Sequence, residues 1–476
     1  MAEQEYDLIM IGGGAGAFAA AIKANELGAK TLLVNKGLPL GGTCVNVGCV
    51  PSKTLLWAGE VMHLAKSHNI PGLDIEVKNF DFSKVIQHQL ELVEKLRAEK
   101  YEKVLSNLEN ITHAEGQAHF VSPNEIEIEG KKYQAKKFII AAGSTATVPP
   151  IENVREVGYI THIEALKLKQ QPKELIVVGA GPVGLEFAQM YARFGTKVTI
   201  LHRGSSIFRG EEELTTRLAE ILTNEGITIK TGVQVKAVRK EGDKKVVSYI
   251  VDGKLEEVLS DEILLAVGKT PNTKRLALDK AGVAIDEKQS IKVNPQFQTS
   301  QPHIYALGDV INLPIRQEPT AGREGTLAAE NALKGLQNSI DYDSVPWTIF
   351  TDPQLAGVGF TEEEQMKKFG TCMCKTVSFK DVPKAIIMKR TEGLIKMAIH
   401  PKTNPSTGLR AGQIMGVHIL APNAGELIAE AMMLVKNKNT IDDIVNSLPM
   451  FPTLSEAIKI VALSFTKDIS KLSCCI

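Results

Sequence analysis

Two stretches of this chain repeat one arrangement of apolar and polar positions. From Tyr6 to Ile11 the residues are nearly all apolar; glycines follow, then a helical pattern from Phe18 to Leu27 and a second apolar run from Lys30 to Val34. The order returns at Glu174 to Val178, Gly179-Ala180-Gly181-Pro182-Val183-Gly184, Leu185 to Phe194 and Lys197 to Leu201. Short unbroken apolar runs predict buried strands, and the longer segments between them predict helices. Strand, glycine turn, helix and strand in that order build a dinucleotide site, so the chain is predicted to carry two. One such fingerprint is a weak signal; two in the same context are strong.

The remaining pattern divides the chain further. Pro149 and Pro150 mark a crossing into a second domain, Thr270-Pro271-Asn272-Thr273 a return to the first, and Asp341 to Pro346 the start of a third. Strands are expected at Leu394 to Ile399 and Ile414 to Leu420, with helices at Ala424 to Lys436 and Ile441 to Leu448. The expected fold class is α/β: two Rossmann-like dinucleotide-binding domains plus a C-terminal α+β domain. The expected boundaries are 1–150 with 276–342, then 151–275, then 343–476.

Composition narrows the partners. Lys plus Arg equals Asp plus Glu at 55 each, so no basic surplus points to nucleic acid or acidic lipid. The apolar run from Leu8 to Ile22 follows Glu3, Glu5 and Asp7 rather than a basic segment, and Gly12, Gly13, Gly14 and Gly16 interrupt it. It is therefore read as strand and helix, and the protein as cytoplasmic and membrane-free. Six cysteines in 476 residues, grouped as Cys44/Cys49, Cys372/Cys374 and Cys474/Cys475, suit redox or metal chemistry better than a secreted disulfide scaffold.

Each loop has assignable parts. In the first, Gly12 permits the tight turn, Gly14 lets a pyrophosphate approach the backbone, and Ala17 fills the last fingerprint position, where a small residue packs helix on strand. Asn35 stands where an acidic residue would bind a ribose, and can still hydrogen-bond a hydroxyl. In the second, Gly179, Gly181 and Gly184 fit the pattern, and His202-Arg203 replaces the acidic residue that would select NADH. A cationic neighbourhood suits a 2′-phosphate, so NADPH is expected rather than NADH.

The sulfur chemistry is concentrated at the two ends. Cys44 and Cys49 lie in Gly41-Gly42-Thr43-Cys44-Val45-Asn46-Val47-Gly48-Cys49-Val50-Pro51-Ser52-Lys53. Five residues of regular helix turn about 500°, so a disulfide requires the helix to distort, which Gly48 and Pro51 permit or impose. A helix N-terminus also favours the reactive thiolate. Cys474 and Cys475 are adjacent, with Cα atoms ~3.8 Å apart, too close for an unstrained disulfide and better suited to a soft metal ion. Cys372 and Cys374 have strand spacing, which sends both side chains to one face; they are read as incidental.

The 41 to 53 motif, the two loops, Ala142-Gly143-Ser144, Val267-Gly268-Lys269-Thr270-Pro271-Asn272-Thr273 and Tyr305-Ala306-Leu307-Gly308-Asp309 together resemble the FAD-dependent pyridine nucleotide disulfide oxidoreductases along essentially the whole chain. The resemblance implies FAD on the first loop, held by Gly12, Gly14, Gly16, Ala17, Asn35, Gly42, Thr43, Ala118 and Gly143, with Asp309 on the ribityl chain. It implies that Lys53 lies by the flavin and pairs with Glu186, that Cys49 is nearer the flavin than Cys44, and that Gly179, Gly181, Gly184, His202, Arg203 and Gly268 serve NADPH.

Within that family, glutathione reductases and dihydrolipoamide dehydrogenases carry a histidine where Phe451 stands in Phe451-Pro452-Thr453-Leu454-Ser455-Glu456, while Glu456 survives. Phenylalanine cannot protonate a leaving thiolate. The tail from Ser464 to Cys475 is similar to that of mercuric reductases, which also lack the histidine and usually have tyrosine there. Their other pocket tyrosine is matched by Tyr101. Their N-terminal metal-binding domain is expected to be absent. The resemblance implies a homodimer in which Cys474 and Cys475 pass thiolate-bound Hg(II), the substrate, to Cys44 and Cys49 of the other subunit, with Tyr101, Lys53 and Glu456 in the site. The rivals are a flavin disulfide reductase of the lipoamide dehydrogenase or thioredoxin reductase kind, and a thiol protein that binds metal without turnover.

Overall fold

The structure, a computed structural model, describes residues 5–312, 314–403 and 405–473. Its first sheet has seven strands. Ile111–Glu115, Thr31–Asn35, Glu5–Ile11 and Lys131–Ile140 run parallel in that order, and Ile304–Ala306 also pairs in parallel with Lys131–Ile140. Glu125–Ile128 and Ala118–Ser122 extend it as an antiparallel flap. Leu8, Ile9 and Met10 are fully buried, the mark of a strand covered on both faces.

A second sheet orders Thr228–Lys230, Lys197–Leu201, Glu174–Val178 and Glu262–Leu265, all parallel. A three-stranded antiparallel sheet, Gln234–Glu241, Lys244–Val251 and Lys254–Ser260, lies beside it. The chain passes between the two parallel sheets through short strands that pair with each other, Ser144–Ala146 going out and Lys269–Pro271 coming back. The C-terminal sheet is antiparallel, in the order Trp347–Ile349, Gln354–Gly359, Gln413–Ala421, Leu394–His400 and Met373–Ser378. Val417, Ile419, Ile428, Ile458 and Val461 join the core between this sheet and the helices Ala424–Lys436 and Glu456–Leu463.

The two loop helices begin earlier than their apolar periodicity predicts, at Ala15 and Pro182. Gly14 and Gly181 are the extended residues that start them, and no side chain caps either one. The glycine turn is thus itself the first turn of helix, and its free N–H groups face outward beyond the carboxyl ends of the strands. The helix expected to reach Leu448 stops at Val445. Among the described residues, no helix is long and apolar enough to cross a membrane.

Candidate active site

The first loop is closed by its own backbone. A Cβ on Gly12, at φ +136°, would lie 2.2 Å from the carbonyl oxygen of Ala141, the residue that follows the neighbouring strand. Gly41 pairs with Gly14, and its N–H donates to the Gly13 carbonyl at 2.8 Å. A Cβ on Gly42 would meet Gly14 Cα at 2.6 Å. Asn46 steadies this crossing from below, its amide N–H group bonding the carbonyls of Pro39, Leu40 and Gly42 at 3.1, 3.1 and 2.9 Å. Asn35 folds over Gly13 and donates to Leu38 O at 2.9 Å. Gly16 serves packing rather than the cradle, since a Cβ there would strike Leu307 at 2.4 Å. Uncapped N–H groups beside backbone that admits no side chain fit a dinucleotide pyrophosphate.

In the second loop, Gly179 at φ +111° faces the Ala266 carbonyl as Gly12 faces Ala141. Gly181 has nothing within 4 Å of where its Cβ would be, so this loop stands open. His202 Nδ1 accepts from Ala180 N–H at 3.1 Å, which ties the residue at the strand end to the loop. Arg203 is exposed. Both loops fit their expected kind of ligand.

The cysteines meet because the helix breaks between them. Cys44 lies in Gly42–Val47 and Cys49 opens Cys49–Ser67, with Gly48 between at φ −131° and ψ −114°, outside helical space. A Cβ at Gly48 would lie 2.8 Å from the Thr43 carbonyl oxygen. Both cysteines are free thiols here. The Cys44 thiol donates to Cys49, which with the nearby Lys53 ammonium lowers the Cys49 thiol to about 7, while the same bond and burial push Cys44 up. One sulfur is thus a thiolate near neutrality and the other a thiol.

Tyr101 shares this pocket. Its ring packs on Gly41 and, edge to face, on Phe18 at 4.9 Å, from a π-helical turn at Ala98–Glu102. Burial, with the Cys44, Glu318 and Cys49 charges, raises its hydroxyl to about 12. Glu318 heads the helix Glu318–Lys334 and interacts electrostatically with both cysteines and Tyr101. Its sequence neighbours gave no sign of that role.

Lys53 and Glu186 form the expected pair at 2.6 Å, with the Glu186 side chain only 6% exposed. The other Glu186 oxygen accepts from Phe350 N–H at 2.9 Å, and the Phe350 ring lies 4.5 Å under the Lys53 ammonium. The redox helix, the helix of the second loop and the residue after the strand Trp347–Ile349 therefore meet at one carboxylate. Asp309 accepts from Ser144 at 2.6 Å, and the preceding Gly308 N–H donates to Glu324 at 2.7 Å. Glu324 also accepts from Tyr342 at 2.9 Å, and burial raises it to about 7. Gly143 O accepts from Asn272 N–H at 3.0 Å beside the two crossing strands. Gly268, at φ +113°, precedes Lys269, whose ammonium is lowered by burial and interacts with Asp309 and Cys49. Thr43 lies in the Cys44 helix.

Other expected residues stand apart. The Ala118 side chain is sealed in the apolar core under the first sheet, so only its backbone can face a nucleotide. Glu456 accepts from Thr453 N–H at 3.1 Å and orders the turn after Phe451, which is 45% exposed. Cys474 and Cys475 lie outside the described residues. Cys372 and Cys374, read as incidental, are joined to each other in a disulfide.

Residues 6–325 match the pyridine nucleotide-disulphide oxidoreductase family, and residues 345–462 match the dimerisation domain of that family. The mercuric reductase of Lysinibacillus sphaericus is 37% identical over 99% of this chain and 85% of its own length. That of Streptomyces lividans is 36% identical over 99% of this chain and 98% of its own. In structure the chain is similar to the HOCl-induced flavoprotein disulfide reductase RclA of Escherichia coli, solved as a Cu(II) complex, with a TM-score of 0.85 and 25% identity over 98% of this chain and 100% of that one. With two glycine cradles, a facing thiol pair and these matches over nearly its whole length, the chain belongs to the pyridine nucleotide-disulphide oxidoreductase family of flavin- and nicotinamide-dependent oxidoreductases, in which these curated relatives are mercuric reductases.

Proposed function

We propose that the protein is a cytoplasmic, NADPH-dependent mercury(II) reductase acting as a homodimer. The observation that carries this reading is the Cys44/Cys49 pair, one thiolate and one thiol facing each other, in a chain with Phe451 where a disulfide reductase needs a proton donor. FAD on the first loop would supply the two-electron link between the nicotinamide on the second loop and the sulfur pair. His202 and Arg203 would receive the 2′-phosphate, and Asp309 the ribityl chain.

Hg(II) is soft and prefers thiolates. The Cys49 thiolate displaces one thiolate from incoming Hg(SR)₂. Cys44 displaces the second and gives it its proton, so the products are the bis-cysteinyl ion, one RSH and one RS⁻. Lys53 favours the charged Cys49 that starts the exchange, and Tyr101 closes the pocket beside Cys44. Two electrons then turn the ion into Hg(0) and return both cysteines as thiolates; neither step takes a proton from position 451. Cys474 and Cys475 of the partner subunit would hand over the ion. Leu448, Met450 and Phe451, exposed by 96%, 75% and 45% in a single chain, supply apolar surface for that second copy to cover.

The test is NADPH oxidation by the purified protein with Hg(II) under excess thiol, with trapping of volatile mercury and with glutathione disulfide and lipoamide in parallel. Mercury-dependent oxidation with Hg(0) in the trap is expected. Oxidation only with a disulfide would sink the reading and favour a flavin disulfide reductase, the reading supported by the RclA likeness.

A further inference from the structure

Cys372 and Cys374 take no part in the site above. The helix Glu362–Phe369 ends at Gly370 in left-handed conformation, and the chain then enters Met373–Ser378, the edge strand of the C-terminal sheet. Cys372 immediately precedes that strand and Cys374 is its second residue; both are half-buried, with Cα atoms 6.2 Å apart and sulfurs joined. Met373 between them is 43% exposed.

This bond is poorly placed to be a staple. It closes a loop with a single residue inside, where cross-linking removes the least chain entropy. It ties no two elements together, and the strand is already held by the pairings Met373 with Ile399 and Cys374 with Ala398. Two residues along the same strand face from Cys374, Thr376 bonds Glu213 at the start of Glu212–Asn224. A partly exposed disulfide of this kind exchanges with low-mass thiols, giving two cysteine thiols and one small disulfide. The ladder, which pairs Met373 and Cys374, then keeps Cys374 in place with Cys372 one residue beyond its end.

We propose that Cys372 and Cys374, once reduced, form a second soft-metal chelate that takes Hg(II) as a two-coordinate bis-thiolate. The surroundings select the ion. Among the described residues no group of three or more His, Cys, Asp or Glu is placed to share a metal, so an ion that needs four donors, such as Zn(II), finds too few. A soft ion satisfied by two sulfurs does not. Uptake is ligand exchange without oxidation or reduction: Hg(SR)₂ and two cysteine thiols give the bis-cysteinyl ion and two RSH. That Hg(II) is the relevant cation rests on the reductase reading; the two-sulfur geometry does not.

The experiment compares the full-length, pre-reduced holoenzyme with Cys372→Ser/Cys374→Ser and with Cys372→Ser alone. Each is loaded with mercuric chloride under excess monothiol without NADPH, desalted, and assayed for mercury per chain and for thiolate-to-mercury ultraviolet absorbance. Both variants are expected to hold one ion per chain fewer than the parent, with unchanged melting temperature and flavin absorbance. Equal mercury content in all three would overturn the chelate. NADPH is then added to the same samples: a one-ion difference without Hg(0) release would overturn the reductase reading and leave the chelate standing, and release without the difference would do the reverse.

Discussion

The two nucleotide loops are built from one plan and closed differently. Gly12 and Gly179 do the same work, each turning at positive φ against the carbonyl of the residue just past a strand. Beyond that they diverge. The first loop is roofed by Gly41 and Gly42, braced by Asn46 and backed by the helix Glu318–Lys334, whereas the second leaves Gly181 open. The last fingerprint position differs too: Ala17 keeps its Cβ in the first, while a Cβ on Gly184 would lie 2.0 Å from the Gly179 carbonyl oxygen. A roofed cradle suits a group that stays through many turnovers, and an open one suits a coenzyme that leaves after each. The difference in closure lies in the segments that cross the loops; the fingerprints themselves differ only at that last position.

The largest expected effect separates what the two units do. Cys49→Ala removes the thiolate while leaving both loops intact. Reduction of the bound flavin by NADPH, read as loss of visible absorbance, should survive, while mercury turnover falls by at least about a thousandfold. Loss of both together would break the division of labour. In the parent, the Cys49 thiol sits below its ordinary 9.0, at about 7, so the thiolate is present above that value. Turnover limited by thiolate attack should climb as pH rises through about 7 and then level off. Lys53→Met removes a charge that favours the thiolate, so the climb should move to higher pH.

A middle-sized effect tests the loops directly. In Gly184→Ala the new methyl meets backbone that cannot swing aside, so the protein should lose about 1–3 kcal/mol. Gly181→Ala fills open space and should stay within about 0.5 kcal/mol of the parent, yet raise the KM for NADPH because the methyl stands where the pyrophosphate approaches. Thermal unfolding and steady-state kinetics on both variants read the two outcomes. If Gly181→Ala leaves the KM unchanged, the open loop is not where the nucleotide binds.

Much of this was legible in the residues. The unbroken apolar runs marked strands buried on both faces, and the glycine spacing marked the turns to within the three residues by which the helices start early. Gly48 marked the break that lets Cys44 and Cys49 meet. What stayed hidden joins segments far apart in sequence, where periodicity is silent. The second hydrogen bond of Glu186 crosses 164 positions to Phe350 N–H. Glu324, on an ordinary amphipathic helix, gives no sign that it will hold Gly308 and Tyr342 together. Asn46 reads as a spacer between the cysteines, yet it holds up the roof of the first loop. Cys372 and Cys374 had the right spacing to share a face, but only the fold puts that face on a free sheet edge.

The smallest expected effect bears on the strand ends, where both units lack the usual acid. In the first, Asn35 turns back over its own loop and spends its amide N–H on Leu38 O. In the second, Ala180 N–H fixes Nδ1 of His202, so a neutral ring carries its proton on Nε2, and the exposed Arg203 follows it. Arg203 brings a permanent charge to a site where a 2′-phosphate, but not a 2′-hydroxyl, would reward it. Arg203→Ala should therefore lower kcat/KM for NADPH by roughly tenfold, about 1.4 kcal/mol, and leave NADH nearly unchanged. Because the exposed guanidinium is screened by salt, the gap between the two coenzymes should narrow in the parent as ionic strength rises and stay flat in the variant. A variant that loses NADPH and NADH equally would show that Arg203 steadies the loop rather than reading the phosphate, and the choice of coenzyme would then rest on His202.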